Sequence, residues 1–166
     1  MKDDIIVRVA NYGDMRGIFE LSNQPSVRDA SFQSATISWS EHVHWFKSAL
    51  ANPSVGFYVA IKNENLVGQI RFLSEGLRAT VSISVDPMFK GKGIGKYLYH
   101  AALADFRKRF QVSQVIAKIK KGNVQSIAFF EKLGFVNDSE EFANGEHVLV
   151  MIHKLTNEER GIEITR

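Results

Sequence analysis

The stretch VDPMFKGKGIGK, residues 85–96, decides how this 166-residue chain folds. It joins an alternating, β-branched segment, residues 79–85, to an amphipathic segment that begins at Gly93. The first pattern is typical of a half-buried strand and the second of a helix. Three glycines at alternate positions let backbone N–H groups approach a ligand, and a helix N-terminus adds unpaired donors and partial positive charge. The stretch therefore predicts a phosphate site in a strand-to-helix turn.

Two commoner phosphate-binding motifs do not fit this turn. A P-loop needs glycine where Lys90 stands and Ser or Thr where Tyr97 stands. A dinucleotide fingerprint that begins at Gly91 needs Gly or Ala where Lys96 stands. The lysines add positive charge to the backbone donors, so the stretch indicates a cradle for a small polyanion such as a cofactor phosphate. The competing interpretation is a flexible turn that binds nothing.

The rest of the chain reads as one mixed α+β domain around this turn. Its patterns predict the order β-α-α-β-β-β-α-β-α-β-β. The strands are predicted at 5–9, 57–61, 66–72, 79–85, 112–119, 135–136 and 148–152, and the helices, the first capped by Asp14, at 14–22, 40–51, 93–110 and 126–133. We expect a single domain over 1–166, with its core over about 5–155, an irregular stretch over 23–38 and a polar, poorly packed tail over 156–166.

Composition narrows the class of function. The chain has no cysteine, which excludes disulfides, thiolate metal sites and a cysteine nucleophile, and no metal is expected. A net charge of +3 gives little support to nucleic-acid binding. No apolar run is long enough to span a membrane, and acidic residues stand where a signal peptide would be apolar. We therefore expect a cytoplasmic protein with neither a nucleic-acid nor a membrane partner. The oligomeric state stays open, a homodimer included.

Two segments resemble the motifs of a known family. The run Val85-Asp86-Pro87, continued by KGKGIG at 90–95, resembles motif A of the GNAT family of N-acetyltransferases. Its pattern is Gln or Arg, two residues, Gly, one residue, then Gly or Ala, and Lys90 stands where Gln or Arg is usual. The segment NVQSIAFFEKLGF, residues 123–135, resembles motif B. The resemblance implies the single-domain GNAT acyl-CoA N-acyltransferase fold, a mixed, mostly antiparallel sheet flanked by helices.

The same resemblance implies that acetyl-CoA is the co-substrate. It would lie between a splayed pair of parallel strands, one ending at Val85 and the other near Ile119. The backbone of Ser84 and Val85 would bind the pantetheine arm and polarise the thioester carbonyl. The pyrophosphate would be held by the turn residues Lys90, Gly91, Lys92, Gly93, Ile94, Gly95 and Lys96.

Motif B would supply the other side of the coenzyme site. By the resemblance, Asn123 hydrogen-bonds the arm, and Ser126 and Phe130 line the thiol end. Many family members carry tyrosine at the position of Phe130, as the acid that protonates the departing thiolate, and phenylalanine has no proton to give. Ser84 could position a water that deprotonates the amine, or it could be an ordinary strand residue. Carboxylates such as Glu141 are further candidates that the sequence does not rank.

The N-terminal third resembles a subgroup that acetylates nucleotide-linked amino sugars, closest to the enzyme that acts on a UDP-4-amino sugar in pseudaminic acid biosynthesis. The matching residues lie in 23–32 and 37–46. Arg28 could form a bidentate contact with a diphosphate, and Phe32 or Trp45 could stack on a base or a sugar. His42 could act as the base or as a hydrogen-bond donor. The competing interpretations are core packing for the aromatic residues and a solvated loop arginine.

These patterns predict an N-acetyltransferase that moves acetyl from acetyl-CoA to a primary amine by direct attack, with a nucleotide-linked 4-amino sugar as acceptor. Within the same class the acceptor could instead be a protein N-terminus, a polyamine or another small amine. A different class, a non-catalytic acyl-CoA sensor, stays open because Phe130 removes the usual acid.

Overall fold

The computed structural model describes residues 4–156, so residues 157–166 of the expected tail lie outside the described part. The strands are β1 (Ile5–Val9), β2 (Val55–Lys62), β3 (Asn65–Glu75), β4 (Arg78–Val85), β5 (Gln114–Lys120), β6 (Val136–Ala143) and β7 (Glu146–Lys154). The helices are α1 (Met15–Ser22), α2 (Pro25–Ala30), α3 (Trp39–Ala51), α4 (Ile94–Arg109) and α5 (Val124–Lys132). Short 3₁₀ turns at Tyr12–Asp14 and Pro87–Phe89 precede α1 and α4.

The seven strands form one sheet in the order β1-β2-β3-β4-β5-β7-β6. Within residues 4–156, β4 and β5 are the one parallel pair, and all other neighbours are antiparallel. These two strands pair only from Arg78 with Gln114 to Thr80 with Ile116, and then separate. We call the opening between 81–85 and 117–120 the β4–β5 gap. The predicted α+β class and the mixed, mostly antiparallel sheet are confirmed.

The two faces of the sheet carry different layers. Helix α4 packs on one face, where Leu98, Tyr99 and Phe106 are fully buried against β3 and β4 side chains such as Phe72. Burying each such side chain contributes about 1.5–3 kcal/mol. Helices α1 and α3 cover part of the other face through a second apolar cluster built on Ala10, Ile18, Phe46, Phe57 and Val59. This second layer stops short of the β4–β5 gap and leaves one side of the gap open.

The structure corrects four sequence expectations. The stretch 23–38 is not wholly irregular, because it contains the six-residue α2 with Pro25 in its first turn. Helix α3 begins at Trp39, one residue earlier than expected, with Ser38 as its cap. Asp14 does not cap α1 through its side chain, since its carboxylate forms an ion pair with Arg8 at 2.7 Å. The strand predicted at 135–136 is the eight-residue β6.

Candidate active site

A cleft of about 1820 Å³ runs from the β4–β5 gap to α2 and α3. It brings together predicted site residues that are far apart in the sequence, namely Arg28, Phe32, His42, Trp45, Ser84, Val85, Lys90, Gly91, Gly93, Ile94, Gly95, Lys96, Asn123, Ser126 and Phe130. Lys92 does not line it, and its Nζ lies 5.4 Å from the ring centroid of Phe89. We call the part at the β4–β5 gap, the 90–96 turn and α5 the coenzyme half. The part at α2, the 31–37 loop, α3 and β3 is the acceptor half.

The 90–96 turn presents the free backbone N–H groups of 91–96 to the coenzyme half, whereas the N–H of Lys90 donates to Pro87 O at 3.4 Å. Gly91 and Gly93 have φ angles of +75° and +78°, a left-handed conformation that favours glycine, and a Cβ on either would meet nothing within 4 Å. Gly93 caps α4, whose first turn carries no acidic residue. Gly95 has a different role, which is to let α4 pack closely against α5. A Cβ added at this position would lie 2.9 Å from the Phe129 ring and would push the two helices apart. The helix N-terminus is therefore suited to an anion.

The edge of β4 along the gap also carries free backbone groups. Asp86 N–H donates to Val67 O on β3 at 2.9 Å. Because hydrogen-bonded positions alternate along an antiparallel strand, the backbone groups of Ile83 and Val85 point to the opposite edge. At that edge β5 has already separated from β4. The N–H of Val85 is thus directed into the β4–β5 gap.

Motif B forms the far wall of the coenzyme half. The Asn123 side-chain oxygen accepts a hydrogen bond from Ser126 N at 3.2 Å and so caps α5. Phe130 is buried against Phe129 and Phe135, with ring centroids 5.1 and 4.9 Å away, and it still lines the cleft. Phe130 has no hydroxyl, so the position used by the usual tyrosine acid holds a purely apolar ring.

Arg28 organises the loop of the acceptor half. Its Nε donates to Ser22 O at 2.7 Å, one terminal nitrogen donates to Gln33 O and Ala35 O, and the other donates to Ser31 Oγ. Three of its four hydrogen bonds are therefore made to the 31–37 loop, and the fourth ties it to the end of α1. Burial lowers the pKa of the guanidinium from its usual value.

His42 is buried in an aromatic cage. Its ring lies 5.2–5.8 Å from those of Phe19, Trp39, Trp45 and Phe46. Nε2 lies 2.8 Å from Met15 O and must donate its proton there, because a carbonyl oxygen only accepts. Nδ1 therefore carries a lone pair, and it has no hydrogen-bond partner. Burial lowers the pKa of His42, and the bond to Met15 O only partly opposes this effect, so the ring is neutral near pH 7.

The structure adds two residues that the sequence did not single out, Gln69 and Arg71 of β3. Both line the cleft on the face that carries Ser82 and Ser84, since Gln69 pairs with Ser84 and Arg71 with Ser82. The Arg71 guanidinium lies 4.5 Å from the ring centroid of Trp45, and burial lowers its pKa to about 10, so it stays charged at neutral pH. Polar residues at alternate positions of an otherwise apolar strand were the available signal.

The cleft also collects polar atoms without partners. Four buried side-chain polar atoms lack a hydrogen-bond partner in the described chain, and three of them belong to cleft residues: Ser26 Oγ, His42 Nδ1 and Gln69 Oε1. Buried polar atoms are nearly always satisfied, so such a concentration indicates a surface shaped for a polar ligand.

The charges of the acceptor half are not balanced. Glu41 is engaged in capping α3, and Glu146 pairs with Lys120 at 3.2 Å. Arg71 has no carboxylate partner within residues 4–156. Asp29 of α2 also lines the cleft, and its carboxylate has no cationic partner among the same residues. The charge beside β3 is nevertheless positive, which favours an anionic group of the ligand at Arg71.

The chain is similar to several known proteins. The family model described as "Acetyltransferase (GNAT) domain" matches residues 4–136. The L-methionine sulfoximine/L-methionine sulfone acetyltransferase of Salmonella typhimurium is 28% identical over 138 residues, which are 78% of each chain. The spermidine N-acetyltransferase of Vibrio cholerae, solved with CoA and spermine, has a TM-score of 0.79 at 18% identity, over 92% of this chain and 96% of that one. A Salmonella typhimurium protein solved with acetyl-CoA has a TM-score of 0.75 at 21% identity, over 93% and 96%.

The described part of the chain offers neither a cluster of metal ligands nor a membrane-spanning helix. Residues 4–156 contain no cluster of three or more His, Asp or Glu side chains arranged to hold a metal ion. None of the helices in that range has the length and apolar character needed to cross a bilayer.

Proposed function

Since this chain belongs to the GNAT acetyltransferase family and is an acetyl-CoA-dependent N-acetyltransferase, we propose that its acceptor is the primary amine of a nucleotide-linked 4-amino sugar. The observation that carries the proposal is Arg71, which stacks on Trp45 in the acceptor half and has no carboxylate partner within residues 4–156. An arginine can bind a diphosphate through two parallel hydrogen bonds, and an indole can stack on a base or a sugar. A polycation would be repelled by the Arg71 guanidinium.

The coenzyme half suits acetyl-CoA in a defined direction. The donors of the 90–96 turn would bind the pyrophosphate, and the β4–β5 gap would receive the pantetheine arm along the free edge of β4. Val85 N–H would then polarise the thioester carbonyl, and Ser126 and Phe130 would enclose the thiol end. Asn123 would reach the arm through its amide nitrogen, because its oxygen is engaged in capping α5.

The acceptor half would place the amine over the thioester. Arg28 would shape the 31–37 loop through the bonds it makes there and offer its remaining N–H to the acceptor, and Phe32 would cover the sugar from the loop. We assign Ser84 to hold a water next to the amine. His42 would receive the proton, because its Nδ1 lone pair is free and its ring is neutral.

The direct attack needs no covalent enzyme intermediate. The amine nitrogen forms a bond to the thioester carbon, the C–S bond breaks, and CoA leaves as a thiolate. Phe130 gives no proton to that thiolate, so solvent protonates it after departure. The missing acid costs about 100-fold in rate relative to a site that has one.

An acceptor panel tests the proposal. Thiol release from acetyl-CoA is measured with UDP- and TDP-linked 4-amino sugars, spermidine, methionine sulfone and a peptide with a free N-terminus. We expect the highest kcat/KM with a nucleotide sugar. Turnover of spermidine or the peptide with none of any nucleotide sugar would exclude the proposed acceptor.

A second readout separates the enzyme from an acyl-CoA sensor. Calorimetry measures acetyl-CoA binding in the same preparation that is assayed for thiol release. Saturable binding together with thiol release supports the enzyme. Saturable binding without release for any amine would favour the sensor, for which the apolar Phe130 is the supporting observation.

A further inference from the structure

Gln69 is a buried polar side chain with one satisfied end and one free end. Only 6% of the residue is exposed. Its Nε2 donates to Ser22 Oγ at 3.0 Å, which fixes the amide at the end of α1. Its Oε1 has no hydrogen-bond partner, although the residue lines the cleft. A buried acceptor left unpaired destabilises the fold, so its retention here points to a ligand that pairs with it.

The free oxygen lies beside the reaction centre. Gln69 is the Cα partner of Ser84 across β3 and β4, and directly opposed residues project to the same face with Cβ atoms about 5 Å apart. Ser84 immediately precedes Val85, whose N–H is directed into the β4–β5 gap. An acceptor atom on Gln69 is therefore next to the place where a thioester in the gap would meet an amine.

We propose that Gln69 Oε1 accepts a hydrogen bond from the attacking amine and orients its lone pair toward the thioester carbon. The inference rests on acetyl transfer in this cleft and does not depend on the identity of the acceptor. One N–H of the amine points to Oε1 while the nitrogen forms the C–N bond and the C–S bond breaks. The proton that the nitrogen loses passes through water to the base of the site, since a neutral amide oxygen is too weak a base to keep it.

Ser22 connects this orienting group to the acceptor loop. Its hydroxyl holds the Gln69 amide, and its backbone oxygen accepts from Arg28 Nε at 2.7 Å. Both contacts come from the last residue of α1, which is itself buried. The loop that would bind the body of the acceptor and the side chain that would hold its amine therefore share one anchor.

The test uses propylamine, which has only the reacting group in common with other acceptors. Thiol release is measured with saturating acetyl-CoA and excess propylamine. We expect Gln69→Leu to lower the second-order rate constant about 100-fold through misorientation of the amine, with acetyl-CoA affinity unchanged. Gln69→Asn, with a shorter amide, should lose an intermediate amount. The matched control is Gln114→Leu, because Gln114 also has an unpaired buried Oε1 but does not line the cleft.

Gln69→Glu gives a readout that a structural role would not move. A carboxylate touching the bound amine stabilises its ammonium form, so the alkaline rise of kcat, measured at saturating propylamine, should shift upward by about one pH unit. An unshifted profile together with a Gln69→Leu rate like that of the wild type would overturn the proposal. A wild-type rate no greater than that of free acetyl-CoA with propylamine would also overturn it. If the acceptor panel shows no turnover of a nucleotide sugar, the proposed acceptor is wrong, but the propylamine assays still test the role of Gln69.

Discussion

The guanidinium carbon of Arg71 lies 4.5 Å from the centroid of the Trp45 ring, over the face of the indole. The contact joins β3 to α3 and sets a half-buried cation into the wall of the acceptor half. A cation over an indole contributes about 0.5–2 kcal/mol, and the aromatic surface excludes water that would otherwise screen the charge. We infer that this pair would give the acceptor half a preference for anions.

Arg71→Met should raise KM for an anionic acceptor at least about 10-fold, because one charge-assisted contact is lost while the packing against Trp45 is largely retained. Arg71→Lys should recover only part of the loss, since a lysine has no planar fork. Steady-state kinetics with calorimetry of acetyl-CoA measures both effects. Arg78→Met is the control, at an exposed arginine of β4 outside the cleft. Equal KM values for the Arg71 and Arg78 variants would remove Arg71 from the site.

Gly93→Val should abolish coenzyme binding. The left-handed backbone at Gly93 disfavours a β-branched residue, and the new side chain would occupy the open side of the cradle. Gly76→Val imposes a similar strain, at φ +65°, in the β3–β4 turn away from the cleft. Calorimetry of acetyl-CoA should show no binding for the first variant and wild-type affinity for the second. Wild-type affinity in Gly93→Val would show that the pyrophosphate binds elsewhere.

Phe130→Tyr should raise kcat by up to about 100-fold, because it restores a proton donor at the thiol end of the cleft. The Phe130 ring already lines the cleft, so the new tyrosine hydroxyl can hydrogen-bond to solvent or to the thiolate and is not left buried without a partner. Stopped-flow thiol release measures the change. The control is Phe110→Tyr, at the C-terminal end of α4 and outside the cleft. An unchanged kcat would mean that protonation of the thiolate does not limit the reaction.

The stability of the protein should fall as the pH drops below about 6.5. Burial lowers the pKa of His42 in the folded state, so the unfolded chain binds a proton there first. The free energy of unfolding then decreases by up to about 1.4 kcal/mol per pH unit, until the pH reaches the folded-state pKa. Urea unfolding between pH 7 and pH 5 measures the slope. The slope of the unfolding free energy against pH should flatten in His42→Phe and persist in the control His44→Phe, at an exposed position. A slope that persists in both variants would mean that other groups cause the loss of stability.

The sequence points to the 90–96 turn and α5 more readily than to Arg71 and Gln69 for a physical reason. The 90–96 turn and α5 are each specified by local features, namely the spacing of glycines and the capping residues, which lie within about a dozen consecutive residues. Arg71 and Gln69 reach the cleft through the register of β3 against β4, and this register cannot be predicted from a local sequence pattern. Arg28 was expected to contact a diphosphate, but most of its N–H groups donate to carbonyl oxygens of α1 and of the 31–37 loop.

One helix was missed and one strand was predicted too short because their patterns are weak. Helix α2 spans six residues, too few for an apolar period to appear, and Pro25 at its start reads as a helix breaker. Strand β6 lies at the edge of the sheet and is exposed along almost its whole length, so it lacks the alternation of a half-buried strand. Neither element changes the position of the coenzyme half, although α2 supplies Ser26 and Arg28 to the acceptor half.

The most direct test of the central claim, that the acceptor half selects an anionic nucleotide sugar, is calorimetry of UDP and TDP binding to the enzyme–CoA complex, with spermidine in parallel. Saturable binding of one of the nucleotides, weakened at least about 10-fold in Arg71→Met, with no heat from spermidine, is the predicted result. Saturable spermidine binding with no nucleotide binding would contradict the claim.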